Sequence, residues 1–102
     1  MRIINTSMLQ KFGRGRRAGE AALRAWAQQA QAAAWQDFAE VRKTFPSADQ
    51  VTVANTRTVV VFNIACHRYR LIVAIHYHTR IVYPLMILTH KQYDRDIWKE
   101  RL

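Results

Sequence analysis

From Val51 to Leu88 the chain is a succession of β-branched runs separated by short polar breaks, and this pattern constrains the fold more than any other feature. Val51 and Val53 suggest one strand, Asn55-Thr56 a turn, Arg57–Ile64 a second strand, Arg68–His76 a third and Ile81–Leu88 a fourth. Connections as short as Ala65-Cys66-His67 and Tyr77-His78-Thr79-Arg80 imply antiparallel meander pairing. In the third run, Tyr69, Leu71, Val73 and Ile75 share one face, which suits a core. Arg68, Arg70, Ile72, Ala74 and His76 share the other, and two arginines with a histidine at strand spacing mark that face as the place to look for function. Pro84 interrupts the fourth run. A proline donates no ladder hydrogen bond, so the strand is expected to be an edge there or to carry a bulge.

The first half reads differently. Arg2–Asn5 looks like a short strand, after which Thr6 or Ser7 can cap a helix with Met8, Leu9 and Phe12 inward. Gly13 to Gly19 holds three arginines and three glycines and reads as a frayed helix end and exposed loop. The clearest helix covers Glu20–Ala34, with Leu23, Trp26, Ala27 and Ala30 recurring at helical spacing. Asp37 can cap a short helix carrying Phe38, Val41 and Phe45, which Pro46 stops. A short terminal helix is expected over Asp94–Leu102.

With 102 residues, half of them apolar, the chain suits a single domain over residues 1–102 with a real core. Sixteen Lys and Arg against seven Asp and Glu give a formal net charge of +9, which favours an acidic partner. The charge rests mainly on arginine, whose planar fork matches phosphate. No apolar stretch is long enough to span a bilayer, and the start reaches polar residues too soon for a secretory signal, so a cytoplasmic protein is expected. The single cysteine, Cys66, fits a reducing compartment. A membrane-surface role fits poorly because the best helix is rich in Gln and Ala rather than Lys and Arg. DNA binding by this chain alone fits poorly too, since no recognition helix follows a helix-turn pattern.

Four segments carry a recognisable pattern: Val61-Phe62-Asn63-Ile64, then Tyr69–Tyr77, then Ile81-Val82-Tyr83, then Leu88-Thr89-His90-Lys91-Gln92-Tyr93-Asp94. Together with Leu23–Trp26, Trp35 and Phe45–Ala48, they resemble the HigB family of toxins within the wider RelE-type group of messenger-RNA interferases. The resemblance implies an α+β fold, RelE-like, with amino-terminal helices packed on a twisted, mainly antiparallel sheet. It also implies a type II toxin–antitoxin component that is a metal-independent endoribonuclease, cleaving mRNA on the translating ribosome without a cofactor. The partners it implies are a HigA-type helix-turn-helix antitoxin, mRNA and the ribosome, with operator DNA bound only through the antitoxin complex. Two departures stand out. Ala65, Cys66 and His67 replace two glycines and an asparagine, so an altered turn is expected. Leu85 stands where the family has an arginine, which favours the alternative of a catalytically weak or inactive RNA- or ribosome-binding regulator of the same fold.

Metal-free RNA cleavage needs the 2′-hydroxyl deprotonated, the phosphorane charge stabilised and the 5′-oxygen protonated. His90 is the leading acid–base candidate, because histidine titrates near neutrality; the alternative is a structural role at a strand–helix junction. Arg70 is the candidate phosphate clamp. Tyr93 can orient substrate or assist proton transfer, or simply pack on Trp98. Arg57, His67, Arg68, Arg80 and Lys91 are candidate RNA contacts. Thr89 is expected to cap the final helical segment, and Asp94 to orient a neighbouring Arg or His. The histidines and Cys66 show no CxxC or HExxH spacing, so no metal is expected.

Overall fold

The computed structural model describes residues 1–54 and 56–102. Strands β1 (Arg2–Ile3), β2 (Asp49–Thr52), β3 (Thr58–Ile64), β4 (Tyr69–His76) and β5 (Ile81–Thr89) form one sheet in the order β1-β5-β4-β3-β2. The consecutive strands β2 to β5 pair antiparallel, as their short connections require, whereas β1 joins β5 in parallel. The turn expected at Asn55 and Thr56 lies between β2 and β3, and Asn55 itself is outside the described residues.

Helices α1 (Thr6–Gly13), α2 (Arg17–Ala32) and α3 (Phe38–Thr44) pack on one face of the sheet. There Leu23, Trp26, Ala30, Trp35 and Val41 meet Val60, Phe62, Ile64, Leu71, Val73 and Val82. Phe62 is the hub, with its ring 5.3 Å from that of Trp26 and 5.1 Å from that of Phe45. Strand alternation sends Val59, Val61 and Ile72 to the other face. Here α4 (His90–Asp94) and a 3-10 turn over Ile97–Arg101 cross the sheet, and buried Trp98 completes a second, smaller cluster. The fold is thus α+β with helices on a mainly antiparallel sheet, as the resemblance implies. The core face expected for β4 is the one the helices cover. The other face is less open than its sequence suggests, because Ile72 and Ala74 are buried on it.

Four local readings need correction. The glycine–arginine segment is not a long loop: α1 reaches Gly13, α2 already starts at Arg17, and only three residues intervene. Tertiary contact overrides propensity here, since a Cβ on Gly19 would stand 3.3 Å from the Tyr69 ring and one on Gly13 3.2 Å from Glu20. The first strand is only Arg2–Ile3, and the cap of α1 is Asn5, in the left-handed region at φ 69°, rather than Thr6 or Ser7. Its amide donates instead to the carbonyl of Pro84 at 3.4 Å. The main helix is shifted toward the N-terminus and ends at Ala32. The terminal helix starts at His90, not Asp94; Asp96 at φ 60° breaks it before the 3-10 turn.

Pro84 meets both expected accommodations. The strand β1 ends opposite Val82, so β5 is an edge at Pro84. The register also slips: Ile72 pairs with Met86 but Val73 with Pro84, leaving Leu85 as the extra residue of a β-bulge. The bulge sends Leu85 and Met86 together to the face that carries Trp98.

Candidate functional site

The site is built around the turn between β3 and β4. Ala65, Cys66 and His67 hold φ of 55°, 53° and 72°, three successive side-chain-bearing residues in the left-handed region. The backbone therefore keeps the conformation that glycine favours, at a cost of roughly 1–2 kcal/mol per residue. Arg68 closes the turn by donating its amide to the Ala65 carbonyl at 3.2 Å, so it lies in the turn rather than in the strand. Tyr69 fixes the turn from the helix side, its ring set edge-on against Phe12 at 4.9 Å and close to Gly19.

Arg70 points to the other face. Its Nη1 donates to the His67 carbonyl at 2.8 Å and, more weakly, to that of Tyr69 at 3.4 Å. The left-handed turn thus presents the carbonyl that anchors the guanidinium. Its Nε and Nη2 make no hydrogen bond among the described residues, which leaves part of the fork to meet an anion. The guanidinium carbon stands 5.5 Å from the centre of the Tyr93 ring, within cation–π range.

Tyr93 is held from its own side of the chain. Its ring stacks on Trp98 at 5.3 Å and 20°, and the Trp98 indole N–H donates to the Tyr93 carbonyl at 3.1 Å. The packing role and the functional placement therefore coexist in one residue. Burial raises the Tyr93 pKa above the ordinary phenol value, and Asp49 adds to the rise while Arg70 opposes it. The phenol stays protonated near neutrality and can donate a hydrogen bond, but is a poor base.

His90 follows directly from the end of β5. Thr89 caps α4 as expected: its Oγ1 accepts from the Gln92 amide at 3.3 Å, while Gln92 Oε1 accepts from the Thr89 amide at 2.9 Å. This box sets the first turn of α4 beside the start of β4, where the His90 amide donates to the Arg68 carbonyl at 3.2 Å. The His90 ring is exposed, and its Nδ1 meets Asp94 Oδ2 at 2.9 Å. Asp94 thus pairs with a histidine through Nδ1, a contact that does not engage Nε2.

Arg70, Tyr93, His90, His67, Arg68 and Lys91 accordingly gather at one end of the sheet. Arg57 and Arg80 do not join them. Arg57 precedes β3 and Arg80 precedes β5, which places both at the opposite end of the antiparallel array. His76 also lies at that end, at the finish of β4, and Cys66 at the near end. Two residues escaped the sequence reading. Asn63 pairs with Arg70 across β3 and β4, and Asp49 at the start of β2 shares its face. Strand register is the signal that finds them, and it is fixed only once the strands are paired.

The arrangement is a surface rather than an enclosed pocket. A groove of about 410 Å³ does lie between α1 and α2, lined by Leu9, Leu23, Ala27, Arg14 and Arg24, but it holds none of these residues. The exposed cluster instead combines a partly free guanidinium, a protonated phenol and a carboxylate-oriented imidazole. Those groups can bind an anion, donate to developing charge and move a proton.

Among the described residues, no helix is long and apolar enough to cross a membrane. Comparison with curated proteins finds no match. A family model does match, over residues 19–96, described as HigB toxin, the RelE-like toxic component of a toxin–antitoxin system. That span covers all but the first two residues of the second helix, the whole meander and the His90–Asp94 helix that build the site. The chain belongs to the HigB toxin family, and its fold and its matched span make it a RelE-like toxin.

Proposed function

We propose that this toxin is a metal-independent endoribonuclease that cleaves mRNA on the translating ribosome, with Arg70, Tyr93 and His90 as its working groups. The observation that carries the reading is that Arg70 meets Tyr93 at one end of the sheet, where the first turn of α4 also sets His90, paired with Asp94. In the reaction the 2′-oxygen of one nucleotide attacks the adjacent phosphorus and the bond to the 5′-oxygen breaks. A 2′,3′-cyclic phosphate and a 5′-hydroxyl result. Arg70 offsets the charge on the phosphorane. Tyr93, kept protonated, donates to a phosphoryl oxygen. His90 Nε2 exchanges the proton that the 2′-hydroxyl loses or the 5′-oxygen gains. The nucleophile is already held beside the phosphorus, so few groups suffice.

The partners are then mRNA, the ribosome and a HigA-type antitoxin, with Arg68, His67 and Lys91 contacting the RNA beside the scissile phosphate. Message cleavage in a purified translation system, with the product ends identified, tests this. Cuts carrying cyclic phosphate and 5′-hydroxyl ends are expected; a folded, ribosome-bound protein that leaves the message intact would contradict it.

One observation favours a second reading. Leu85, where the resemblance calls for arginine, packs beside the apolar Trp98 cluster, so no cation is supplied from the bulge. In that reading the protein binds RNA or the ribosome and cleaves weakly. Leu85→Arg then raises cleavage severalfold, whereas in the first reading it leaves the rate unchanged or lowers it.

A further inference from the structure

We propose that Arg2, His76 and Tyr83 form a second subsite for single-stranded RNA, at the opposite end of the same sheet face from Arg70 and Tyr93. This inference rests on the RNA-cleaving reading and extends it from one scissile phosphate to a track along the sheet.

Strand alternation and register fix the shared face. Arg70, Ile72, Ala74 and His76 alternate on it along β4, and Ile72 belongs to the Trp98 cluster that marks that side. Tyr83 pairs directly with Ala74, and its ring lies 4.9 Å from the His76 imidazole at 59°. In the next row His76 pairs with Ile81, and Ile81 pairs with Arg2 on β1. Ile3 is buried among the helices, so Arg2 projects to the opposite side, with His76 and Tyr83. Arg2 and His76 are exposed, and Tyr83 is half-buried.

The chemistry selects RNA among acidic partners. A tilted pair of aromatic rings offers a π-face on which a base can stack, and an adjacent arginine meets the phosphate that follows. The two aromatic–cationic stations, Arg70 with Tyr93 and Arg2 with His76 and Tyr83, are about 20 Å apart along β4, a span of several nucleotides. Between them Ile72 and Ala74 are buried, Ile72 within the Trp98 cluster, so the surface that joins the two stations is the partly exposed Leu85–Met86 side of β5. The net charge of +9 supplies the attraction.

The test is fluorescence anisotropy with a non-cleavable 2′-O-methyl single-stranded oligoribonucleotide, one version long enough to reach both stations and one of two nucleotides. His76→Ala and Tyr83→Ala, checked for native circular dichroism, should weaken binding of the long probe about 5- to 100-fold and leave the short one unchanged. Tyr83→Phe keeps the ring and should bind as the parent does. Arg2→Gln should lower the salt dependence by about one phosphate contact. Unchanged long-probe binding in both alanine variants overturns this inference alone, as does a loss in Tyr83→Phe equal to that in Tyr83→Ala. A parent protein that binds neither probe overturns it together with the RNA-cleaving reading.

Discussion

Arg70 and Tyr93 meet across two separate elements, a strand and a helix, with the guanidinium carbon 5.5 Å from the ring centre. The contact ties the carboxyl-terminal segment to the sheet at the point where the β3–β4 turn supplies Arg70 with a carbonyl anchor. In the proposed reaction it also keeps the two groups in register for a shared substrate. Arg70→Ala should lower the rate of RNA cleavage about 10²–10³-fold, the usual effect of removing one preorganised charge donor. Arg70→Lys should recover little of it, because an ammonium reproduces neither the fork nor the stacking. Tyr93→Phe should keep stability and lose rate, and single-turnover kinetics beside thermal unfolding separate the two.

In the proposed reaction Asp94 acts only through His90, with which it is paired. Replacing it with Asn removes the carboxylate 2.9 Å from Nδ1. Cleavage by the folded variant should fall, but less than with His90→Ala, as read by single-turnover kinetics. An unchanged rate would show that the ion pair is only a surface contact, whose worth to stability is in any case small.

The strained turn makes a stability prediction. Ala65→Gly and Cys66→Gly each relieve a left-handed side-chain residue, and each also frees the unfolded chain. The net gain should be about 0.5–1 kcal/mol per substitution, read as a rise of a few degrees in Tm. A fall in Tm for both would mean that the side chains make contacts that outweigh the strain.

Much of this was legible in the sequence, because the period-two runs and their short connections leave few pairings open. The faces of β4 followed from alternation alone. Arg70, His90 and Tyr93 were singled out through the resemblance, and the contact of Arg70 with Tyr93 emerges only from the fold. What the sequence hid was tertiary. Gly13 and Gly19 read as loop residues because propensity counts them against a helix, whereas they are there to let Glu20 and the Tyr69 ring approach. The break at Asp96 turns the last residues back across the sheet, which buries Trp98 and covers half of a face that looked open. Asn63 and Asp49 entered the site only through register, and Arg57 and Arg80 left it for the same reason.

Alkaline pH should destabilise the fold through two phenols. Burial raises the pKa of Tyr93, with Asp49 assisting, and burial raises that of Tyr77, with Asp37 assisting. A group whose folded pKa lies above its unfolded value binds its proton more tightly in the native state. Its contribution is complete below the unfolded phenol value of about 10 and is lost as pH rises through the folded value. Denaturant midpoints should therefore hold steady to about pH 9 and decline above about pH 10. Tyr93→Phe should soften that decline; an identical decline in the variant would remove Tyr93 from the account.

The most direct test of the site is single-turnover cleavage of a translating message by the parent and by His90→Ala, with folding and ribosome association measured on both. The account predicts cuts by the parent at defined positions, and a loss of about 10²–10⁴-fold in His90→Ala while it still folds and binds the ribosome. Equal cleavage by the two proteins would contradict the placing of the reaction at the Arg70–Tyr93–His90 end of the sheet.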